Sequence, residues 1–269
     1  MKKFLYDEIA KRWLNGCDSI YVYSDTHFSD AESYELRGLL KVPDDLIFAK
    51  EQGDSRSYDL YVEERVKVLD EMQIKNINSK AGRNSCLILL GDVGNIECVK
   101  KLRAKRKILV MGNHDKGASN YKRQIIEVEH NSDTCPKCGG KVVYDDATFH
   151  NCGFGYAWCD TCGTVEPKDD VYEDNHLFDE VYEGPVMIND RTILSHEPVF
   201  AGVPYFKNLH GHVHKADYKG DEHHLNCCAE AINYTPINLL SLFKKGLLKD
   251  IDSIHRMTID TATARKRRK

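Results

Sequence analysis

The feature that most constrains this chain is a repeated pattern: an apolar run that stops abruptly at acidic, histidine or asparagine residues. "SIYVYSDTH" (19–27) ends in Asp-Thr-His, and "SCLILLGDVGN" (85–95) carries Gly-Asp after its run. "RKILVMGNHD" (106–115) ends in Gly-Asn-His-Asp, "RTILSHEP" (191–198) in Ser-His-Glu-Pro, and "KNLHGHVH" (207–214) in Gly-His-Val-His. Continuous apolar runs of this length suit strands covered on both faces. Helix-patterned stretches, 58–77 and 95–106, lie between the first three runs. Strand–helix–strand alternation implies right-handed crossovers and a largely parallel sheet in that half. Such sheets bind ligands at the carboxyl ends of their strands. Asp25, His27, Asp92, Asn113, His114, Asp115, His196, His212 and His214 all follow apolar runs, so they are expected to converge there.

Charge sets few limits. The 38 Lys and Arg nearly balance the 42 Asp and Glu, for a formal net charge of −4. Nothing global therefore draws the chain to nucleic acid or to acidic membranes. The tail "ARKRRK" (264–269) is read as the only strongly basic run, a solvated end, with nucleic-acid contact as the lesser alternative. The opening "MKKFLYDEIAKRWL" reads as an amphipathic helix. Asp7, Glu8, Lys11 and Arg12 interrupt its apolar run, so it is not a secretory signal. No stretch is apolar enough to span a bilayer. The expectation is a soluble, cytoplasmic protein.

Ten cysteines sit badly with structural disulfides in a reducing compartment. Four have a different use. "CPKC" and "CDTC" place Cys135, Cys138, Cys159 and Cys162 in two hooks with 20 residues between them. That spacing suits one closed, tetrahedral, structural Zn2+. A glycine after each hook lets the turn adopt positive φ. The segment reads as a zinc ribbon over 131–166, inserted in a discontinuous domain of 1–130 and 167–269. Metal binding would supply folding energy that so small a module lacks. His150 and Cys152 lie outside the hooks, while Cys17, Cys86, Cys98, Cys227 and Cys228 read as small buried hydrophobes. The aromatics Phe149, Phe154, Tyr156 and Trp158 read as the ribbon's own core. The acidic stretch 166–180 would repel a phosphate backbone beside it.

The converging residues offer oxygen and imidazole but no thiolate, which suits Mn2+, Fe or Zn2+. They exceed one ion's needs, and a shared carboxylate can bridge two metals for in-line displacement at phosphorus. Asp-x-His, Gly-Asp, Gly-Asn-His-Asp, His and Gly-His-x-His, in that order, resemble the calcineurin-like metallophosphoesterase superfamily. "SDTHF", "SHEPV", "LHGHVH" and "NCCAEAINYTPINL" are similar to its small bacterial and phage phosphoesterases. The ribbon departs from the basic family pattern. The resemblance implies an α/β fold, a four-layer α/β/β/α sandwich. It implies two divalent metals, Mn2+ foremost, with Fe, Zn2+ and Ni2+ as alternatives. Asp25, His27 and His214 would hold the first metal, and Asn113, His196 and His212 the second. Asp92 would bridge them. His114, oriented by Asp115, would serve the leaving oxygen, opposite a metal-activated hydroxide.

Of the three histidines in "LHGHVH", His212 and His214 are thus the expected ligands, with Gly211 giving the sharp path between them. His210 is expected to support a ligand from behind. Asn95, Arg83, Arg37, Tyr121 and Arg123 are weaker candidates for touching substrate. His223 and His224 read as strand residues, and His130, His176 and His255 have no partner pattern. The expected activity is a phosphodiesterase on a nucleotide or oligonucleotide, with nucleic acid as an open partner. A phosphomonoesterase on a small metabolite or phosphoprotein is the alternative. A non-catalytic scaffold would be expected to have lost His114 or a ligand, and this chain has not.

Overall fold

The structure is a computed structural model describing residues 12–128, 135, 138–144, 157–164, 171–188, 192–200, 206–214, 221 and 223–244. The N-terminal stretch 1–11, His130, His150, Cys152, His255, the aromatics Phe149, Phe154 and Tyr156, and the tail 264–269 lie outside these. The chain divides into two compact units, Met1–Arg123 with His176–Lys269, and Gln124–Asn175.

The first unit is mixed α/β with two mostly parallel sheets. In one, β1 (Ser19–Tyr23), β2 (Ser85–Leu89), β3 (Arg106–Val110) and β9 (Glu180–Tyr182) run parallel. The short β14 (Ile237–Asn238) closes the β1 edge antiparallel. In the other, β11 (Thr192–Leu194), β12 (Lys207–His210) and β13 (His224–Asn226) run parallel, with β10 (Val186–Met187) antiparallel at the edge.

Register explains the continuous apolar runs. Val22, Ile88 and Ile108 pair side by side across β1, β2 and β3. They pack in one core with Val186, Leu194 and Leu209 of the second sheet. The next row, Tyr23, Leu89 and Leu109, points the other way. It packs with Ile74 and Ile77 of the Ser55–Lys80 helix and with Cys98 and Val99. Every residue of β2 is therefore buried.

The Ser55–Lys80 helix buries Val66, Leu69, Asp70, Gln73, Ile74 and Ile77 at helical spacing. Asp70 and Gln73 are polar intruders on that stripe, and both are bonded. Asp70 accepts from the Ser29 amide at 2.9 Å, the Ser29 hydroxyl at 2.8 Å and the Tyr34 hydroxyl. The Gln73 amide donates to the Thr26 carbonyl at 2.9 Å and accepts from Tyr23 at 2.8 Å. The helix thereby grips the loop that follows β1.

The helix expected over 95–106 is shorter, Ile96–Lys100. The buried Lys107 ammonium takes the Val99 and Leu102 carbonyls, at 3.1 and 3.4 Å. Asn78 takes the Arg103 amide at 2.7 Å. Competing partners thus end the helix early.

The second unit pairs β4 (Ile125–Val128) with β8 (Val171–Asp174), so residues on both sides of 131–166 belong to it. β5 (Val142–Tyr144), β6 (Ala157–Cys159) and β7 (Gly163–Thr164) form its small antiparallel sheet. Among the described residues no helix is long and apolar enough to cross a membrane.

Ile88→Ala removes a fully buried side chain from between the two sheets. It should cost about 2–5 kcal/mol of unfolding free energy, read by urea titration. A loss below about 1 kcal/mol would mean the sheets do not pack there.

Candidate metal centre

Five of the seven expected ligands sit in left-handed backbone: Asp25 (φ 56°), His27 (43°), Asp92 (51°), His212 (69°) and His214 (49°). This conformation is uncommon for residues with a Cβ, and its clustering marks strain held in place by the surroundings. The holding bonds are present. Asp25 donates to the Gly91 carbonyl at 3.1 Å, and His27 to the Asp92 carbonyl at 2.9 Å. The His212 amide donates to Asp25 Oδ2 at 3.0 Å. Each turn swings its side chain off the end of a strand and into one cluster.

Two sets of atoms meet in that cluster. Asp92 Oδ2 lies 3.3 Å from His196 Nε2 and 3.6 Å from His27 Nε2. On one side, His196 Nε2 lies 2.8 Å from Asn113 Oδ1 and 3.2 Å from His212 Nδ1, itself 3.1 Å from Asn113 Oδ1. On the other, Asp25 Oδ1 lies 3.9 Å from His27 Nε2 and 3.6 Å from His214 Nε2. Asp25, Asp92 and His196 have ligand atoms close enough to share an ion.

The outer hydrogen bonds test whether cations fit. His196 Nδ1 donates to the Leu90 carbonyl at 2.8 Å. His27 Nδ1 faces Asp30 Oδ2 at 3.2 Å, and His214 Nδ1 faces Glu230 Oε1 at 2.7 Å. Each outer nitrogen must carry the proton, so each neutral ring aims a lone pair inward. His27 Nε2 is buried with no hydrogen-bond partner. Burial first, then the Arg37 charge, hold the His27 pKa below its ordinary value, so it stays in the ligating form. Lone pairs and carboxylate oxygens facing one another repel unless a cation lies between them. The donor set could hold metal ions.

Charge in the cluster follows. Burial opposes ionisation of Asp92, but contact with His196 and the His114 amide holds its pKa down to about 2. Burial likewise opposes charge on His196, but Asp92 and Asp25 push it up to about 9. Without a metal the carboxylates draw a proton instead.

Several sequence expectations need correction. Asp115 does not orient the His114 ring. Its carboxylate accepts from the amides of Asp92, Val93 and Gly112 at 2.9–3.0 Å, bracing the Asp92 loop. His114 is placed by its own amide, 2.9 Å from Asp92 Oδ1, with its exposed ring centred 5.6 Å from that of His27. Gly211 is not in left-handed backbone; the turn falls on His212 and His214. Gly211 is needed for close approach, because a Cβ there would overlap the Ser24 hydroxyl and the Asp25 carboxylate. His210 is buried, its Nδ1 2.9 Å from the Gly211 carbonyl, so it supports the turn.

The substrate candidates are engaged elsewhere or lie away from the cluster. Asn95 caps a helix through Glu97, and Tyr121 is buried. Arg123 pairs with Asp179 at 2.8 Å, and Arg83 precedes β2, at the far end from Asp92. Arg37 is turned inward, donating to the Asp25 carbonyl at 2.8 Å beside Glu230 at 3.7 Å. Cys228 is more than a hydrophobe, since its thiol donates to Asp25 Oδ2 at 3.2 Å. Asp30 and Glu230 were missed, although "DTHFSD" and "CCAEA" contain them. No motif signal separates a carboxylate that holds a histidine from one on the surface.

In the other unit, Cys135, Cys138, Cys159 and Cys162 bring their sulfurs within 4.8 Å of one another and could hold a metal ion. Gly139 (φ 74°) and Gly163 (φ 95°) supply the hook turns. The Thr161 amide reaches the Cys159 sulfur at 3.4 Å, as thiolate hooks require.

Glu230→Gln should weaken metal binding at the Asp25–His27–His214 side by about 10–100-fold, read by titration calorimetry with Mn2+. Unchanged affinity would show that Glu230 does not hold His214. Cys135→Ser should release about one zinc per chain by elemental analysis. Full retention of zinc would reject the four-sulfur site.

No family model matches the chain. No curated protein matches it either. The chain is similar to the crystal structure of a protein of unknown function from Aquifex aeolicus, at 19% identity and a TM-score of 0.43. The match covers 84% of this chain and 98% of that one.

Proposed function

We propose that the protein is a dinuclear-metal phosphoesterase of the calcineurin-like superfamily, acting on phosphodiesters of nucleotides or oligonucleotides. The finer fold in this reading is the four-layer α/β/β/α sandwich. One observation carries the proposal: Asp92 Oδ2 stands between His27 Nε2 and His196 Nε2, at 3.6 and 3.3 Å, joining two sets of inward-facing acceptors. Asp25, His27 and His214 would hold one ion, Asn113, His196 and His212 the other, and Asp92 both. Bound there, Mn2+ or a similar divalent ion would neutralise phosphoryl charge and acidify a water molecule. The remaining work belongs to side chains. His114, whose ring is exposed, donates a proton to the leaving oxygen. Asp115 keeps the Asp92 turn rigid, so the bridging oxygen stays aimed. Asp30, Glu230 and the Leu90 carbonyl fix the ligand rings.

The diester reading has its own support. Arg37 is committed to the Asp25 carbonyl and Glu230. It is not offered to the second negative charge that distinguishes a phosphomonoester. In the same reading, the four cysteines of the smaller unit hold a closed structural Zn2+.

The test is initial hydrolysis rate with Mn2+ on a bis-aryl phosphodiester and on the matching monoester. Diester cleavage should be faster. His114→Ala should lower it by about 10²–10⁴-fold while metal content stays unchanged. Equal rates in parent and variant, or metal loss in the variant, would reject the role given to His114.

A further inference from the structure

A second chemical feature lies at the opposite pole of the first sheet. Residues 100–107, "KKLRAKRK", hold six cations in eight positions of a chain whose net charge is −4. They link the Ile96–Lys100 helix to the start of β3, whereas the candidate metal ligands follow strand ends. Arg106 opens β3 and Asn113 follows it, so roughly 23 Å of extended chain separates the poles at about 3.3 Å per residue. That exceeds the screening length in physiological salt, about 8 Å. The acidic metal centre does not cancel this charge.

Two adjacent clefts share Lys101 and Arg103. The first, of about 250 Å³, also takes Arg83, Lys100, Lys105 and Arg123, with Lys107 in its floor. The second, of about 440 Å³, continues past Lys75, Asn78 and Ser79. Some of the charge is already matched. Lys100 pairs with Glu97 and Arg123 with Asp179, and Glu71 lines the second cleft. The Lys105 ammonium bonds the Gly16 carbonyl. Arg83, Lys101, Arg103 and Lys75 are exposed, and none of their side chains pairs with a carboxylate among the described residues.

We propose that this groove binds the phosphate backbone of nucleic acid. Guanidinium groups donate to phosphate oxygens in a bidentate fork, and Arg83 and Arg103 present two of them. A row of cations along two joined clefts suits a polymer of phosphates better than a single anion. Among the described residues no Phe, Tyr or Trp lines either cleft, so bases have no stacking platform there. Recognition is through the backbone, independent of sequence and steeply dependent on salt. The inference stands apart from the metal centre. It would give a phosphodiesterase a polymer-holding surface, but it does not need one.

The test is fluorescence anisotropy of a labelled DNA duplex of about 20 base pairs, with the full-length His114→Ala protein to prevent cleavage, across a salt series. Binding is read without turnover, so failure of the phosphoesterase reading leaves this result intact. Adding Arg83→Glu, Lys101→Glu and Arg103→Glu should weaken binding at least tenfold. It should also flatten the slope of log affinity against log salt by about 2–3, since each lost phosphate contact contributes about 0.9. The same three changes in the parent chain should leave its thermal midpoint and its small-diester hydrolysis unchanged. Parent-like affinity in the triple variant overturns the proposal. So does loss of binding on deleting 264–269 alone, or displacement of the duplex by inorganic phosphate as readily as by unlabelled DNA.

Discussion

The site depends on one buried carboxylate. Asp92 is 2% exposed and sits in left-handed backbone, and both of its oxygens have work. Oδ1 accepts the His114 amide, while Oδ2 faces two imidazole nitrogens from different sheets. A buried charge is tolerated only when compensated. Here a second buried carboxylate, Asp25, makes the demand larger, and the imidazole lone pairs add to it. The cluster has the polarity of a cation site before any cation is considered.

What keeps such an arrangement from relaxing is the layer behind it. Asp115 holds three backbone amides around the Asp92 turn. Arg37 holds the Asp25 carbonyl, and Cys228 and the His212 amide hold the Asp25 carboxylate. Farther back, Asp70 and Gln73 anchor Ser29 and Thr26 to the long helix. Strain at the ligands is offset by bonds one step away, the usual condition for left-handed residues at functional sites.

Net charge conceals a division of labour across the first sheet. Acidic and imidazole groups gather at the carboxyl ends of its strands, and cations at the amino ends. A chain average of −4 reports neither. The run at 100–107 is strongly basic as well as the tail, although some of its cations serve the fold. Lys107 is buried and caps carbonyls, and the Arg106 guanidinium bonds the Arg12 carbonyl. Only the folded chain separates those from Lys101 and Arg103, which reach solvent.

Much was legible in the sequence by itself. Apolar runs ending in ligand-type residues dictated parallel strands, because only doubly covered strands need to be apolar throughout. They also named the residues that meet at Asp92, since strand ends are where such sheets bring side chains together. Cys-x-x-Cys spacing named the four sulfurs, because a two-residue gap is what lets one turn present both. Tertiary structure decided the rest. That Asp30 and Glu230 hold histidines, that Asp115 braces a loop, and that Arg37 points inward are contacts between segments far apart in sequence or folded back in tight turns. Gly211 shows the same limit. Its spacing marks a turn, but the clash that forbids a side chain comes from Ser24 and Asp25, which only the fold brings beside it.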